Sequence, residues 1–363
     1  MRKIPVSILG ATGLVGQRLV VLLTDHPWFE IAALAASDNS VGKKYGEAVR
    51  WQLAAEVPLA LRGLTVQPCD PAAAYAPMVF SALPTDVAGP IEVEFAQAGA
   101  MVSSNASPHR MDADVPLVIP EVNADHLAMM ARQQAQRGWK GFIICNGNCS
   151  TIHLVLALKP LHERFGLKRI AVTTMQALSG AGYPGVASLD ILDNVIPFIG
   201  GEEDKLETEP LKMLGQLADG RIQMADIKIS AQCNRVATRD GHMETVSVEF
   251  VNRPSAPEII AAFEEFRGAP QELNLPLAPA RPVIYRPERD RPQVKLDRDV
   301  EKGMATVVGR LRECNVLDYK FVLLGHNTLR GAAGATLLNA ELMMARGMLG
   351  PRADTAELVR TSA

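Results

Sequence analysis

A strand pattern, Val6-Ser7-Ile8-Leu9, runs straight into Gly10-Ala11-Thr12-Gly13-Leu14-Val15-Gly16, after which Val15, Leu19, Leu22 and Leu23 recur at helical spacing. Strand, glycine turn and amphipathic helix in that order constrain this chain more than any other stretch does. Glycines let a backbone approach a pyrophosphate closely, and a helix start offers free N–H groups and the positive end of its dipole. The spacing G-x-x-G-x-x-G is a variant of the usual dinucleotide fingerprint, and its place between strand and helix supplies the context that spacing alone lacks. Gly10, Thr12, Gly13, Leu14 and Val15 are the candidate contacts.

The same rhythm continues through the first half. Ile31–Ala36, Met78–Ala82, Met101–Ser104 and Phe142–Cys145 read as further short strands separated by helical stretches. That alternation predicts parallel pairing with right-handed crossovers, a doubly wound Rossmann-like sheet. After about residue 150 the pattern changes. Arg169–Ala177, Ile227–Cys233, Thr245–Val251, Ala305–Arg312 and Leu317–Leu324 read as strands with fewer helices between them, several alternating with period two, as in Val246, Val248 and Phe250. A mixed or antiparallel sheet follows, so the fold class is α/β with a second, α+β domain. The proline-rich segment Gly268–Pro292 reads as an extended surface connection or a subunit contact. Leu329–Met348, rich in Ala, Leu and Met, reads as a helix ended by Gly350-Pro351.

At 363 residues the chain is long enough for two domains. Its 37 Lys and Arg nearly balance 40 Asp and Glu, which argues against a general electrostatic grip on nucleic acid or an anionic membrane. No run reaches the roughly 18 consecutive apolar residues of a membrane span, and no secretory leader is evident. The five scattered cysteines fit reduced thiols in a cytoplasm better than a disulfide framework.

The second predicted strand ends in Ser37-Asp38-Asn39-Ser40, with Lys43 and Lys44 close behind. Hydroxyls and lysines suit a 2′-phosphate, whereas Asp38 would favour free ribose hydroxyls. NADP is the expected cofactor, with Ser37 and Ser40 near its phosphate.

A second turn carries chemistry. The apolar strand Phe142–Cys145 enters Asn146-Gly147-Asn148-Cys149-Ser150-Thr151, and an apolar helix pattern follows from Ile152 to Leu158. Cys149 therefore opens a helix, where the dipole lowers a thiol pKa and neighbouring N–H groups can hold an oxyanion. A nucleophilic cysteine beside a dinucleotide site implies thioester chemistry followed by hydride transfer. Cys145 reads as core, and no further ligands stand at metal-site spacing, so no metal is expected. Further on, Arg235 is suited to bidentate binding of a carboxylate. His242, beside Gly241, is a candidate proton carrier, although a lone turn histidine is as a rule structural or solvated.

Together, Gly10-x-x-Gly13-x-x-Gly16, Asn146-Gly147-Asn148-Cys149-Ser150 and Gly241-His242 resemble aspartate-semialdehyde dehydrogenase of the archaeal and fungal branch, over essentially the whole chain. Ser104–Ser107 through Arg110 to Pro120–Asn123, Gln176–Gly185, Ile196–Lys205 and His326–Gly334 extend the likeness. The resemblance implies reversible, NADPH-dependent reduction of L-4-aspartyl phosphate to L-aspartate 4-semialdehyde with release of phosphate, a step toward lysine, threonine and methionine. It implies Cys149 as nucleophile, His242 as acid/base and Gln176 as the residue orienting the acyl intermediate. Arg235 would hold the substrate carboxylate and Glu202 its ammonium, while Arg110, Lys205 and the nearby Asn105 would receive the phosphate. Asn327 would contact the nicotinamide carboxamide, and Ser179, Gly180 and Gly182 would border both ligands.

Gly147 stands where the family's turn carries proline, which predicts a looser loop around an intact Asn-x-Asn-Cys frame. The nearest rival is a malonyl-CoA or succinyl-CoA reductase; Asn148-Cys149 and Cys233-Asn234-Arg235-Val236 favour the aspartyl substrate. A catalytically silent dinucleotide-binding protein is the rival from another class. The expected organisation is a dinucleotide domain of residues 1–148 with 328–363, and a catalytic and dimerisation domain of residues 149–327. A homodimer or homotetramer is implied, with a small-molecule substrate and neither nucleic acid nor membrane as partner.

Overall fold

The computed structural model describes residues 2–349. Its first half is a sheet of β1 (Ile4–Leu9), β2 (Phe29–Ala36), β3 (Gln67–Pro68), β4 (Met78–Ser81), β5 (Met101–Ser104) and β6 (Phe142–Cys145), in the spatial order β3-β2-β1-β4-β5-β6. Every neighbouring pair is parallel. Runs such as Phe142-Ile143-Ile144 are apolar throughout because a parallel sheet is covered on both faces. The strand order reverses between β1 and β4, and a ligand crevice of this fold opens at that point. Gly10 turns the chain there with φ +75°, and a Cβ on it would lie 2.5 Å from the Ala82 carbonyl oxygen. α1 (Leu14–Leu23) starts immediately after, and a Cβ on its Gly16 would lie 2.2 Å from the Gly10 carbonyl oxygen. Glycine is required at both positions by backbone packed on backbone. α2 (Thr85–Ala98) follows β4 and crosses back to β5.

From β6 the turn Asn146–Asn148 leads into α3 (Cys149–Phe165). The chain then forms β7 (Leu167–Gln176), α4 (Glu202–Met213), a hairpin of β8 (Gln216–Ala218) and β9 (Arg221–Gln223), β10 (Lys228–Arg235), β11 (His242–Phe250), β12 (Val283–Arg286), β13 (Thr306–Glu313) and β14 (Tyr319–Gly325). The second sheet runs β10-β7-β11-β14-β13-β12, parallel at its two outer pairs and antiparallel between. Alternation along β11 puts Val246, Val248 and Phe250 in the core, with His242 and Glu244 on the same buried face.

α3 is apolar nearly all round: Ile152, Leu154, Val155, Leu156, Leu158 and Leu161 have no exposed surface. Each such side chain contributes about 1.5–3 kcal/mol of burial. A helix this apolar needs cover on all sides, and it sits in one continuous core with Val79, Phe95 and Ile143 of the first half and Val246 and Phe321 of the second.

Two sequence expectations need correction, and one strand went unforeseen. Gly268–Pro292 is not a plain connection: it contains β12, an edge strand held parallel to β13 between prolines that cannot donate to a ladder. β3, two residues long, carries no period and left no sequence signal. Leu329–Met348 is not one regular helix: Leu329–Ala333 is a π-helical turn, and α5 (Gly334–Ala345) follows. The expected stop at Gly350-Pro351 lies outside the described residues. α5 returns to the first sheet, where Leu337, Leu338, Leu342 and Met343 pack with Val6, Ile8 and Phe80.

Candidate active site

Asn148 caps α3, its side-chain oxygen accepting from the N–H groups of Ser150 (2.9 Å) and Thr151 (3.3 Å). Asn and Asp favour this position because they satisfy the orphan donors of a helix start. The cap fixes Cys149 as the first helical residue, half-buried at the junction of the two halves. Its Sγ lies 3.1 Å from Nε2 of His242, the first residue of β11. The backbone N–H of Ala177 donates to Nδ1 of the same ring at 3.0 Å. Nδ1 therefore carries no proton, and the proton of the neutral ring sits on Nε2, facing the sulfur.

Burial pushes the Cys149 thiol up to about 12, with Glu202 adding to the rise, while Arg110, Arg235 and the Ser150 N–H pull against it. The lowering expected from the helix start is thus present but outweighed in the free protein. Burial, and after it Arg235, His153 and His326, holds His242 well below the ordinary histidine range. An imidazolium would also set an Nδ1–H against the Ala177 N–H. Cysteine and histidine rest as a thiol and a neutral N–H donor.

The ends of β7 and β10 meet at the same place, in register at Gln176 and Arg235. Arg235 donates from Nη1 to the Ala177 carbonyl at 2.7 Å. Gln176 donates to Glu202 at 3.2 Å, and Asn148 donates from its side chain to the same Glu202 oxygen at 2.7 Å. Lys205 occupies the other Glu202 oxygen at 2.9 Å. Burial alone would raise the Glu202 pKa, but Lys205, Asn148 and Gln176 together hold it below the usual value, so it stays ionised. Gly180, in the 3₁₀ turn Leu178–Ala181, rests on this group: a Cβ there would meet Arg235 Nη1 at 2.8 Å and the His242 ring at 3.1 Å.

Arg110 arrives from the loop after β5, donating to Glu209 at 2.8 Å and to the Asn105 carbonyl at 2.6 Å. Asn105 accepts on its side-chain oxygen from Asn146 at 3.1 Å. Asn327 spends its amide on two turns of the second half, accepting from the Gly241 N–H at 2.8 Å and donating to Ser179 Oγ at 2.8 Å. It holds the Ser179 and Gly241 turns together. Gly182 follows Ser179 with φ +72°.

The residues expected to hold the nucleotide lie at the carboxyl ends of β1 and β2. Gly13 caps α1 without a side chain, and its first turn bears no acidic residue, so the N–H groups of Leu14 and Val15 stand open to an anion. Gln17 ties the Thr12 carbonyl to Arg50 and Gln52. Ser37 and Ser40 close a turn after β2, Ser40 N–H to Ser37 carbonyl at 2.8 Å. Lys43 donates to the Asn39 carbonyl at 2.7 Å and Lys44 to Thr65 at 3.1 Å. The glycine cradle, the uncapped helix start and the Ser37–Lys43 corner fit a dinucleotide with a 2′-phosphate.

Sequence reasoning missed Glu209, Lys212, Gln17 and the Ala177 N–H. Glu202, Lys205, Glu209 and Lys212 share one stripe of α4, a spacing that was there to be read. A cavity of about 570 Å³ lined by Asn123, His126, Lys159, His162 and Gly215 opens at the other end of α3, away from Cys149. Among the described residues no three His, Cys, Asp or Glu side chains converge as a metal site, and no helix is long and apolar enough to cross a membrane.

Comparison with known proteins agrees with this layout. Residues 5–130 match the family model described as the NAD binding domain of semialdehyde dehydrogenase, and residues 158–330 match its dimerisation domain. A curated aspartate-semialdehyde dehydrogenase of Archaeoglobus fulgidus is 55% identical over 339 residues, covering 93% of this chain and 97% of the relative. That of Methanothermobacter thermautotrophicus is 51% identical over 341 residues, covering 93% and 98%. The crystal structure of the Candida albicans aspartate semialdehyde dehydrogenase with NADP superposes with a TM-score of 0.88 at 43% identity, covering 96% of this chain and all of that one.

Proposed function

Because the chain belongs to the aspartate-semialdehyde dehydrogenase family, we propose that it carries out the family's reaction with the residues gathered around Cys149. It reduces L-4-aspartyl phosphate to L-aspartate 4-semialdehyde with NADPH, releasing phosphate, in the biosynthesis of lysine, threonine and methionine. The observation that carries the assignment of roles is the 3.1 Å approach of Cys149 Sγ to His242 at a capped helix start, among Gln176, Arg235, Glu202 and Arg110.

Ionised Glu202 and Arg235 offer opposite charges to the two ends of an amino acid, ammonium and carboxylate. This pair favours the aspartyl substrate over an acyl-CoA, which has no α-ammonium. Cys149 sulfur attacks the acyl carbonyl, and the developing oxyanion faces the first N–H groups of α3. The bond to phosphate breaks, the thiol proton leaves with the departing phosphate, and Arg110 and Lys205 receive the anion, with Asn105 beside them. Gln176 orients the resulting thioester. Gly10, Thr12, Gly13, Leu14 and Val15 would hold NADPH, with Ser37 and Ser40 toward its 2′-phosphate, and the cofactor when bound would supply the hydride. When the reduced carbonyl re-forms, Cys149 is expelled as a thiolate, which the His242 Nε2–H steadies until a proton from water restores the thiol. Ser179, Gly180, Gly182 and Asn327 border the reacting end.

We assign residues 1–148 with 328–363 to dinucleotide binding and 149–327 to catalysis and dimerisation. A match to a dimerisation domain supports a homodimer, alone or paired as a tetramer. Leu189, Leu192, Val195 and Phe198, all exposed beside the site, are apolar surface that an assembly would cover. Location in the cytoplasm fits free cysteines and a soluble substrate.

The test is NADP reduction by L-aspartate 4-semialdehyde with and without inorganic phosphate. Phosphate-dependent turnover that Cys149→Ser abolishes, with NADP binding retained, is the expected result. Turnover with malonyl-CoA or succinyl-CoA and NADPH instead would overturn the substrate assignment.

A further inference from the structure

One carboxylate of α4 has no part in the scheme above yet touches two of its components. Glu209 is 2% exposed. Its Oε1 accepts from Arg110 Nη1 at 2.8 Å, and its Oε2 accepts from the backbone N–H of Asn148 at 2.7 Å. Asn148 is the cap that fixes Cys149, and Arg110 is the proposed phosphate ligand. A buried carboxylate is retained only with such partners, and both of these are functional.

The surroundings are shaped for this bridge. A Cβ on Gly147 would lie 3.3 Å from Glu209 Oε2 and 2.2 Å from Met213 Cε. The glycine that replaces the family's proline therefore leaves room for α4 to press against the nucleophile turn. One helical turn beyond Glu209, Lys212 donates from Nζ to the carbonyls of Arg110, Asp112 and Val115 at 2.7, 2.7 and 2.8 Å. The arginine's own loop is thus clamped by the helix that supplies the bridge. Asn105, whose carbonyl takes Arg110 Nη2 at 2.6 Å, closes the ring back to the turn through Asn146.

We propose that Glu209 is a positioning residue: it couples Arg110 to the Asn148 cap, holding the phosphate ligand and the nucleophile in register and tempering the grip of Arg110 on phosphate. The proposal rests on the functional assignment above. Removal of the charge frees the Arg110 fork for a competing anion and loosens the cap, so turnover falls while the grip on phosphate tightens. A residue of merely structural importance would change stability and active fraction without tightening phosphate.

Glu209→Gln keeps the shape but cannot accept from both donors. The expected result is a kcat at least tenfold lower in the phosphorylating direction, with the KM for phosphate at least threefold lower and that for the aldehyde unchanged. Alkylation of Cys149 by iodoacetamide, followed by mass, changes in rate at least threefold. If the glutamine variant is recovered unfolded, Glu209→Asp serves. It keeps the charge but is one methylene too short for both donors, and the same alkylation change is expected with the KM for phosphate at its parental value. Lys212→Met is the control: it raises the KM for phosphate and leaves Cys149 alkylation alone. Parental kcat, KM and alkylation rate within twofold in the Glu209 variant would overturn the coupling. Absence of phosphate-dependent turnover in the parent would instead overturn the functional assignment, and this proposal with it.

Discussion

His242 offers a quantitative test, because the structure commits it to one protonation pattern. Its Nδ1 accepts from the Ala177 N–H at 3.0 Å, and its Nε2 faces Cys149 Sγ at 3.1 Å. As a neutral donor to a thiolate it supplies one hydrogen bond to a charged group, worth about 1.5–3 kcal/mol. Loss of that bond corresponds to about a tenfold to 150-fold fall in kcat/KM. A residue that shuttled a proton in the rate-limiting step would be worth roughly 10²–10⁴-fold. His242→Gln, whose amide can still present an N–H, should lie at or below the first range, and His242→Ala at its upper end. The pH dependence separates the roles more sharply. With the ring held well below the ordinary histidine range, activity between about pH 5.5 and 8 should follow the thiol and the phosphate alone. Parent and His242→Gln profiles should then have the same shape. Nitrogen-15 spectra of labelled histidine should show a pyridine-like Nδ1 and a pyrrole-like Nε2 for His242 throughout that range. A limb near pH 6.5 that disappears in the variant, or a spectrum of an imidazolium at neutral pH, would refute the donor role.

Glu244, fully buried on the His242 face of β11, has no partner among the described residues for either carboxyl oxygen, and burial raises its pKa well above the usual value. The folded state therefore keeps a proton that the unfolded chain releases above about pH 4.5, and stability falls as pH rises, at about 1.4 kcal/mol per unit until the folded pKa is reached. Urea unfolding at pH 5 and pH 8 should show Glu244→Gln gaining on the parent at the higher pH; an equal difference at both would sink the assignment. Arg330 and Glu121 form an ion pair with no exposed side-chain surface. Arg330→Met alone should destabilise by roughly 3–5 kcal/mol, and Arg330→Met with Glu121→Leu should recover most of it in a double-mutant cycle. Lys43→Glu reverses a charge at the corner assigned to the 2′-phosphate. At about 1 kcal/mol per exposed pair and twice that for reversal, the KM for NADP should rise about thirtyfold while that for NAD hardly moves.

What could be read from the sequence was what is local. The strand, the glycine cradle and α1 lie within twenty consecutive residues, and the Cys149 turn within six, so spacing alone was enough to find them. The second sheet was visible as alternation, though β11 begins three residues earlier than its pattern, because His242 belongs to the strand yet is polar. β12 was hidden by the prolines on either side of it, Pro282 and Pro287, which an edge strand tolerates. The π-helical turn was hidden because Leu329–Ala333 has the composition of any helix. The site was legible one residue at a time but not as a network. Glu209 and Asn148 are 61 residues apart, and Ala177 and His242 are 65 apart. Those bonds exist only once β7, β11 and α4 have converged on α3. The resting state of Cys149 also depends on burial by distant elements, so the helix start alone pointed in the wrong direction.

α3 carries one further implication. Its first turn holds Cys149, while Leu154, Val155, Leu158 and Leu161 fill the core that both sheets share. The helix is therefore an axle driven through both halves of the molecule, not a spoke attached to one. A rod gripped from both sides gives its first turn little freedom to shift against either sheet. Contacts such as Arg50 on Tyr183 and Arg239 on the Gln52 carbonyl also cross between the halves. The sulfur thus takes its bearing on His242 from a core that both sheets share, and not from a loop hung on one of them.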